Sequence, residues 1–349
     1  EGSPTLDATN NSRVARQFPI GYYDFVSDPQ DALFFDDTAT GGTVSYEAAK
    51  SLMLLSTTTS SGSKAQRTTN RYHFYTPGLG MYALCSVVLG DAGKTNNVRA
   101  WGSLDDDNGL FWELAGTVLG VVIRSSTSGS VVNTRVNQAD FNIDKVDGTG
   151  LSGYTLDVTK RNVYWVEYVW LGTGKVSFGV IGERGERILC HRFSNVNGDA
   201  FPFTQSGSLP VSIRNYNTGV TASTSEARLI CTAVYSQEHP AYVFWRYSDM
   251  QSTLKSVTVT DRPILSVRAK TTINGKPNRV GCYPESLSVF VTGGPVQINC
   301  YFGPTNAPTG ADWAITGAGP LDADDAATAI TVTPGERMFT HYLAAGVTV

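Results

Sequence analysis

The chain has 349 residues, of which 41% are hydrophobic and 17% charged, with 35 glycines, 15 prolines and a formal net charge of −4. That is apolar enough for a large core and poorer in charge than the roughly 25% of an average soluble domain, which excludes disorder, collagen and long coiled coils. The acidic balance and the lack of any basic run exclude a nucleic-acid partner, and no apolar stretch approaches the ~20 residues of a bilayer-crossing helix, so no membrane partner is expected either.

Length sets a prior of roughly two domains at about 150 residues each. Residues 1–35 read as an extended N-terminal arm, polar at first and then aromatic at Phe18, Tyr22, Tyr23 and Phe25. Such an arm packs either on a neighbouring subunit or back on its own domain, through those four side chains. The best helix signal is Ser45–Leu55, where Ser45 could cap the good helix formers Glu47 to Lys50.

Strand signals dominate the rest. Met81–Leu89, Gly109–Leu114, Val118–Ser125 and Val131–Asn137 are short apolar or alternating runs separated by polar turns. Asn162–Leu171 is rich in aromatic and β-branched residues on both faces, as a covered central strand requires. Lys175–Ile181 and Arg187–Phe193 follow it across glycine turns, which makes a β-meander. Pro210–Asn215 and Ala227–Tyr235 complete a large sandwich over 36–245, and Glu238-His239-Pro240 breaks the pattern near its end. A smaller sandwich is expected over 246–349, from Ser252–Thr260, Ile264–Lys270, Ser286–Thr292, Val296–Phe302 and Ala329–Thr333. The fold class is therefore all-β: two jelly-roll or lectin-like β-sandwich domains with an extended N-terminal arm.

Tests for chemistry give little. Gly90-Asp91-Ala92-Gly93-Lys94-Thr95 ends like a phosphate loop, but it lacks the first glycine and opens no helix. Asp105-Asp106-Asp107-Asn108-Gly109 fails as a calcium loop, because loop positions one and twelve would be Leu104 and Ala115. Asp322, Asp324 and Asp325 read as a solvated loop. His73, His191, His239 and His341 have no metal-ligand spacing, and no G-x-S-x-G elbow occurs. Glu113 and Glu167 sit in apolar strands and would serve a glycosidase only if they faced one another. The five cysteines, Cys85, Cys190, Cys231, Cys282 and Cys300, form no C-x-x-C pair and read as buried free thiols. Trp101, Trp112, Trp170, Trp245 and Trp313 are candidates for stacking on sugars, with burial in the core the simpler reading. The residues imply no catalytic group, no metal and no cofactor.

One series of segments is more specific. Asp107-Asn108-Gly109-Leu110-Phe111-Trp112-Glu113 is followed by Arg124-Ser125-Ser126-Thr127-Ser128-Gly129, by Asp144 to Asp157, and by Trp170-Leu171-Gly172-Thr173-Gly174. The series resembles a family of virion structural proteins of tailed phages, marine and cyanobacterial ones especially. The likeness covers about 70–260 and extends weakly through Arg262 to Arg268. The chain departs from the family at Phe141-Asn142, where Trp-Asn is usual, and at Glu183-Arg184-Gly185-Glu186, where an Asp-Gly turn is usual.

The resemblance implies a non-enzymatic virion component that folds in the host cytoplasm and assembles with copies of itself and with other virion proteins. As a capsid decoration or a globular module of a tail or neck appendage, it would use the loop of Asp147, Gly148, Thr149, Gly150, Ser152 and Gly153 for ligand or interface contact. The alternative is a carbohydrate- or receptor-binding module of a tail fibre, with a host surface glycan as its partner.

Overall fold

The computed structural model describes residues 17–239 and, further on, residues 256, 262–280, 289, 291, 294–301, 314–315, 321–324, 326–327, 329–330 and 337–343. The chain divides into two compact units, Glu1–Tyr242 and Val243–Val349.

The regular structure in the described part of the first unit is almost wholly strand. In chain order these are β1 (Phe18–Asp24), β2 (Phe34–Ala39), β3 (Thr43–Glu47), β4 (Leu52–Thr57), β5 (Lys64–Thr69), β6 (Met81–Val88), β7 (Asn97–Leu104) and β8 (Gly109–Ala115). They continue as β9 (Val118–Ser125), β10 (Val132–Asn137), β11 (Asn162–Tyr168), β12 (Val176–Ile181), β13 (Arg187–Phe193), β14 (Val211–Asn217) and β15 (Ser225–Ser236). Two antiparallel sheets result. An eight-stranded one runs β13-β12-β11-β6-β15-β4-β3, with β1 also on β15, and a seven-stranded one runs β10-β9-β8-β7-β14-β5-β2.

The alternation of each strand decides what lies between the sheets. Leu110, Trp112 and Leu114 of β8 and Val121 and Ile123 of β9 join Tyr164, Val166, Tyr168, Val176, Phe178 and Val180 from the facing sheet in one core. The Trp112 and Tyr164 rings lie 5.2 Å apart, and the Trp112 indole N–H donates to the Trp165 carbonyl of the other sheet at 3.3 Å. The meander expected over 162–193 is the run β11-β12-β13.

Two expectations need correction, and one pair of alternatives is decided. The helix over Ser45–Leu55 is a β3–β4 hairpin around a single 3₁₀ turn at Ala48–Lys50, broken where Ser51 adopts a left-handed φ of 53°. Burial of Leu52, Met53 and Leu55 against the sheet outweighs the weak helix propensity. The described part of the N-terminal arm packs back on its own unit, where β1 pairs with β15 from Phe18↔Ser236 to Asp24↔Cys231. Its Tyr23 and Phe25 bury their rings in the core. Asp322 and Asp324 do not form a solvated loop: both are buried in a strand, where Asp322 meets Arg268 and Lys270.

The described strands of the second unit are β16 (Ser266–Ala269), β17 (Thr272–Ile273), β18 (Lys276–Pro277), β19 (Val296–Tyr301), β20 (Ala314–Ile315), β21 (Leu321–Asp324) and β22 (Arg337–Leu343). They form the sheets β16-β21-β20, β17-β18 and β19-β22. Ile264–Lys270 and Val296–Phe302 thus contain strands. Most of Ser252–Thr260 and Ser286–Thr292, and all of Ala329–Thr333 beyond residue 330, lie outside the described residues, as do Asp325 and Cys282.

Candidate functional site

The glycine-rich loop is built around one buried carboxylate. Asp144 accepts the Val146 and Ser152 amides on its two oxygens, each at 2.8 Å. A Cβ on Gly150 would lie 2.1 Å from Asp144 Oδ1, so only glycine lets the loop close over that side chain. The Leu156 amide donates to the Val146 carbonyl, Gly148 donates to Tyr154, and Asp147 pairs with Thr155 in an isolated bridge. Asp147 also accepts the Thr149 hydroxyl at 2.6 Å and the Thr149 amide at 2.9 Å, which hold its carboxyl below its usual value. Ser152 and Gly153 complete the turn, and Leu151 at its tip is 96% exposed. The loop therefore satisfies its own polar groups and presents one apolar side chain.

The four aromatic residues near the N-terminus separate. Tyr23 and Phe25 are buried, Phe18 is partly buried with its ring 4.5 Å from His239, and Tyr22 is 75% exposed. Tyr23 is tied to His73, a histidine that strand reading left without a role. The His73 Nδ1–H donates to the Leu209 carbonyl at 3.2 Å, so Nε2 is free to accept the Tyr23 hydroxyl at 3.0 Å. Burial lowers the His73 pKa to about 4, which keeps the ring neutral.

The remaining candidates are held apart or locked. Trp112 and Trp101 face the core, so Glu113 points to the outer side of the seven-stranded sheet. Val166 and Tyr168 face the core, so Glu167 points to the outer side of the eight-stranded sheet. Glu113 pairs with Arg135 at 2.8 Å and Glu167 with Arg187 at 3.0 Å. With the whole sandwich between them, the two carboxylates do not flank a common glycosidic bond. Lys94 of the phosphate-loop-like turn is bound to Asp91 at 2.9 Å and to the Ser223 hydroxyl at 3.0 Å. Burial pushes the Cys85 thiol up to about 12 and the Cys190 thiol up as well, opposite to what a nucleophile needs. Trp101 and Trp112 are core residues and Trp170 is partly buried, its N–H on Thr204; Trp245 and Trp313 lie outside the described residues. Among the described residues no group of three or more His, Cys, Asp or Glu could hold a metal ion.

The outer face of the seven-stranded sheet carries what the sequence reading missed. Val122, Phe111, Gly102, Ser212 and Thr68 form one row across β9, β8, β7, β14 and β5. Two guanidinium groups lie over this row. That of Arg124 stacks 5.2 Å from the Phe111 ring. That of Arg214 bonds Ser212 Oγ at 3.3 Å and reaches Asp106 of the β7–β8 turn at 2.7 Å.

A side chain at Gly102 would strike the Leu110 carbonyl at 2.8 Å and the Phe111 Cα at 2.9 Å, and its φ is 144°, so this buried position in the row admits only glycine. Arg124 hydrogen-bonds the Asn133 side-chain oxygen at 2.9 Å and the Asp105 backbone carbonyl at 3.5 Å, both uncharged acceptors. Burial and then the adjacent Arg214 charge lower its pKa. Burial and then Glu113 raise that of the neighbouring Tyr216. The signal lay in the strand alternation: Arg124, Arg135 and Arg214 each occupy the position opposite to a core residue, but the face exists only once β7, β8, β9 and β14 are aligned.

No protein-family model matches this chain, and no curated protein does. Several solved structures are similar to part of this chain. A protein of unknown function from Shewanella oneidensis MR-1 is 11% identical with a TM-score of 0.39, over 68% of this chain and 94% of that one. The metal-free carbohydrate recognition domain of Emp46p is 11% identical with a TM-score of 0.38, over 64% of this chain and 96% of that one. The receptor-binding domain of botulinum neurotoxin mosaic serotype C/D is 11% identical with a TM-score of 0.38, over 63% of this chain and 48% of that one. This chain thus spans about half the length of the neurotoxin chain.

Proposed function

We propose that the first unit is a non-enzymatic binding module that takes a glycan on the outer face of its seven-stranded sheet. The observation that carries this reading is the pair Arg124 and Arg214, which converge on the β7–β8 turn at Asp105 and Asp106, beside Tyr216 and the Arg135–Glu113 pair. Charged, fork-shaped donors on a rigid sheet suit a ligand with many hydroxyl or oxyanion acceptors. Strands hold these side chains more exactly than loops could, so little ordering is left for binding to cost. A glycan array probed with the full chain tests the reading. Retention of at least one glycan class, lost in Arg214→Ala, is the expected result; no retention above background overturns it.

A second reading concerns where such a module works. The family resemblance points to a structural component of a tailed-phage virion, and the self-braced loop that exposes Leu151 suits contact with a neighbouring copy or another particle protein. An apolar side chain on a rigid loop can be buried in an interface with little loss of conformational freedom. Mass spectrometry of purified particles tests this: stoichiometric presence is expected, and presence only in lysate overturns it.

A further inference from the structure

Resting on the glycan-binding reading above, we infer that the ligand of this face is acidic, its carboxylate or sulfate held between Arg124 and Arg214 in the place that Asp106 now occupies.

Three observations converge. Arg124 is a cation whose hydrogen-bond partners among the described residues are neutral, on a protein whose formal charge is −4. A guanidinium so placed still seeks an anionic acceptor, because its stacking on Phe111 and two neutral bonds leave the fork of donors open. Arg214 does hold an anion, the Asp106 carboxylate, but that side chain is 86% exposed and belongs to a surface turn. Only the Arg214 end of this pair is buried, so the carboxylate end is open to exchange with a ligand anion and to screening by salt.

Both guanidinium groups also reach the same β7–β8 turn, Arg124 at the Asp105 carbonyl and Arg214 at the Asp106 carboxylate, so one oxyanion placed there lies within reach of both. The nearby Glu113 does not compete, because Arg135 holds it at 2.8 Å. Asp106 therefore acts as an internal stand-in for the ligand's charge. Carboxylate and sulfate share this chemistry, and the two differ in which polymer carries them.

The test measures binding of the full chain to oligosaccharides of polygalacturonate (carboxylate), dextran sulfate (sulfate) and dextran (neutral) by calorimetry at low and physiological salt. At least one acidic series is expected to bind about tenfold more tightly than dextran, with the preference weakened by salt. Arg124→Gln is expected to remove that preference. Asp106→Asn should tighten acidic binding several-fold, by clearing the competing carboxylate. Arg192→Gln, on β13 of the other sheet, makes the same change in net charge and should leave binding unaltered, which separates this site from general attraction. Because Asp106 is exposed, its variant stays informative even if Arg124→Gln fails to fold. Equal binding of acidic and neutral sugars, or acidic binding indifferent to Asp106→Asn, overturns the inference while the glycan reading stands. No binding to these polymers or on the array overturns both.

Discussion

The part of the interior around Trp112, Tyr164 and Phe178 and the part around Asn97, Arg99 and Asn215 are built from opposite chemistry, although the same two sheets line both. In the first, aromatic rings meet edge to face, Trp112 lying 6.1 Å from Phe178 and 5.8 Å from Phe141. In the second, Arg99 is wholly buried and donates to the Asn97 side chain, the Ser225 hydroxyl and the Leu89 carbonyl, as well as to Asp91. Asn97 donates in turn to the side chains of Asn215 and Asn217 at 2.9 and 3.0 Å.

Apolar packing tolerates change as long as volume is kept, because its attraction is non-directional. A buried polar network is directional, and removing one member leaves the others unpaired in a low-dielectric interior. The difference teaches that one sandwich can be closed by hydrophobic burial at one place and by satisfied hydrogen bonds at another, with different sensitivities to mutation.

The largest expected effect is in the aromatic part. Trp112→Ala should lower unfolding free energy by about 4 kcal/mol, through lost burial and the cavity left behind. Urea denaturation measures it; a loss below about 1 kcal/mol would mean that the two sheets do not depend on this contact.

Next comes pH, read through His73, a polar residue set in otherwise apolar packing. Above pH 6.5 the ring is neutral in both the folded and unfolded chain, so its contribution is complete. Below that, the unfolded chain takes up a proton that the native site, with a pKa of about 4, refuses. Stability should therefore fall between pH 6.5 and 4, by about 3 kcal/mol in total. The difference between wild-type and His73→Gln profiles isolates this contribution, and parallel profiles would refute it.

Arg99→Met then sharpens the comparison most directly. It nearly preserves volume, so an apolar site would tolerate it, but here it removes the charged donor shared by the Asn97 oxygen, the Ser225 hydroxyl, the Leu89 carbonyl and the Asp91 carboxylate. A loss of about 2 kcal/mol is expected. A stabilised variant would show that the polar part is closed by packing after all, as some buried ion pairs are.

The smallest effect belongs to the glycine loop. Gly150→Ala should displace the Asp144 carboxylate and cost about 1–2 kcal/mol, the worth of its two amide bonds. Hydrogen exchange at the Val146 and Ser152 amides should rise while the sheet amides stay protected.

The same contrast explains what the sequence showed. β9 and β13 are read to the residue, and β6, β8, β11, β12, β14 and β15 within a few, because their core positions carry mostly apolar side chains at period two. β5 and β7 were missed. The core-facing positions of β5 are Ala65, Arg67 and Thr69, and those of β7 are Asn97, Arg99, Trp101 and Ser103. No hydrophobic pattern marks them, because polar side chains fill most of these buried positions, Arg67 pairing with Asp36 and Asn97 with Asn215 and Asn217.

For the candidate sites, the glycine loop was visible as a motif, but its Asp144 hub was not, because nothing in the spacing says which carboxylate turns inward. Composition and alternation by themselves determined an all-β chain with most strands of the larger sheets. Register and sheet pairing decided the rest. They bring Arg124, Arg214 and Gly102 onto one face from three separate strands, and they set Glu113 and Glu167 on opposite sides of the sandwich. The physical reason is that a side chain's face is a local property of its strand, whereas its neighbours are chosen by pairing across long stretches of sequence.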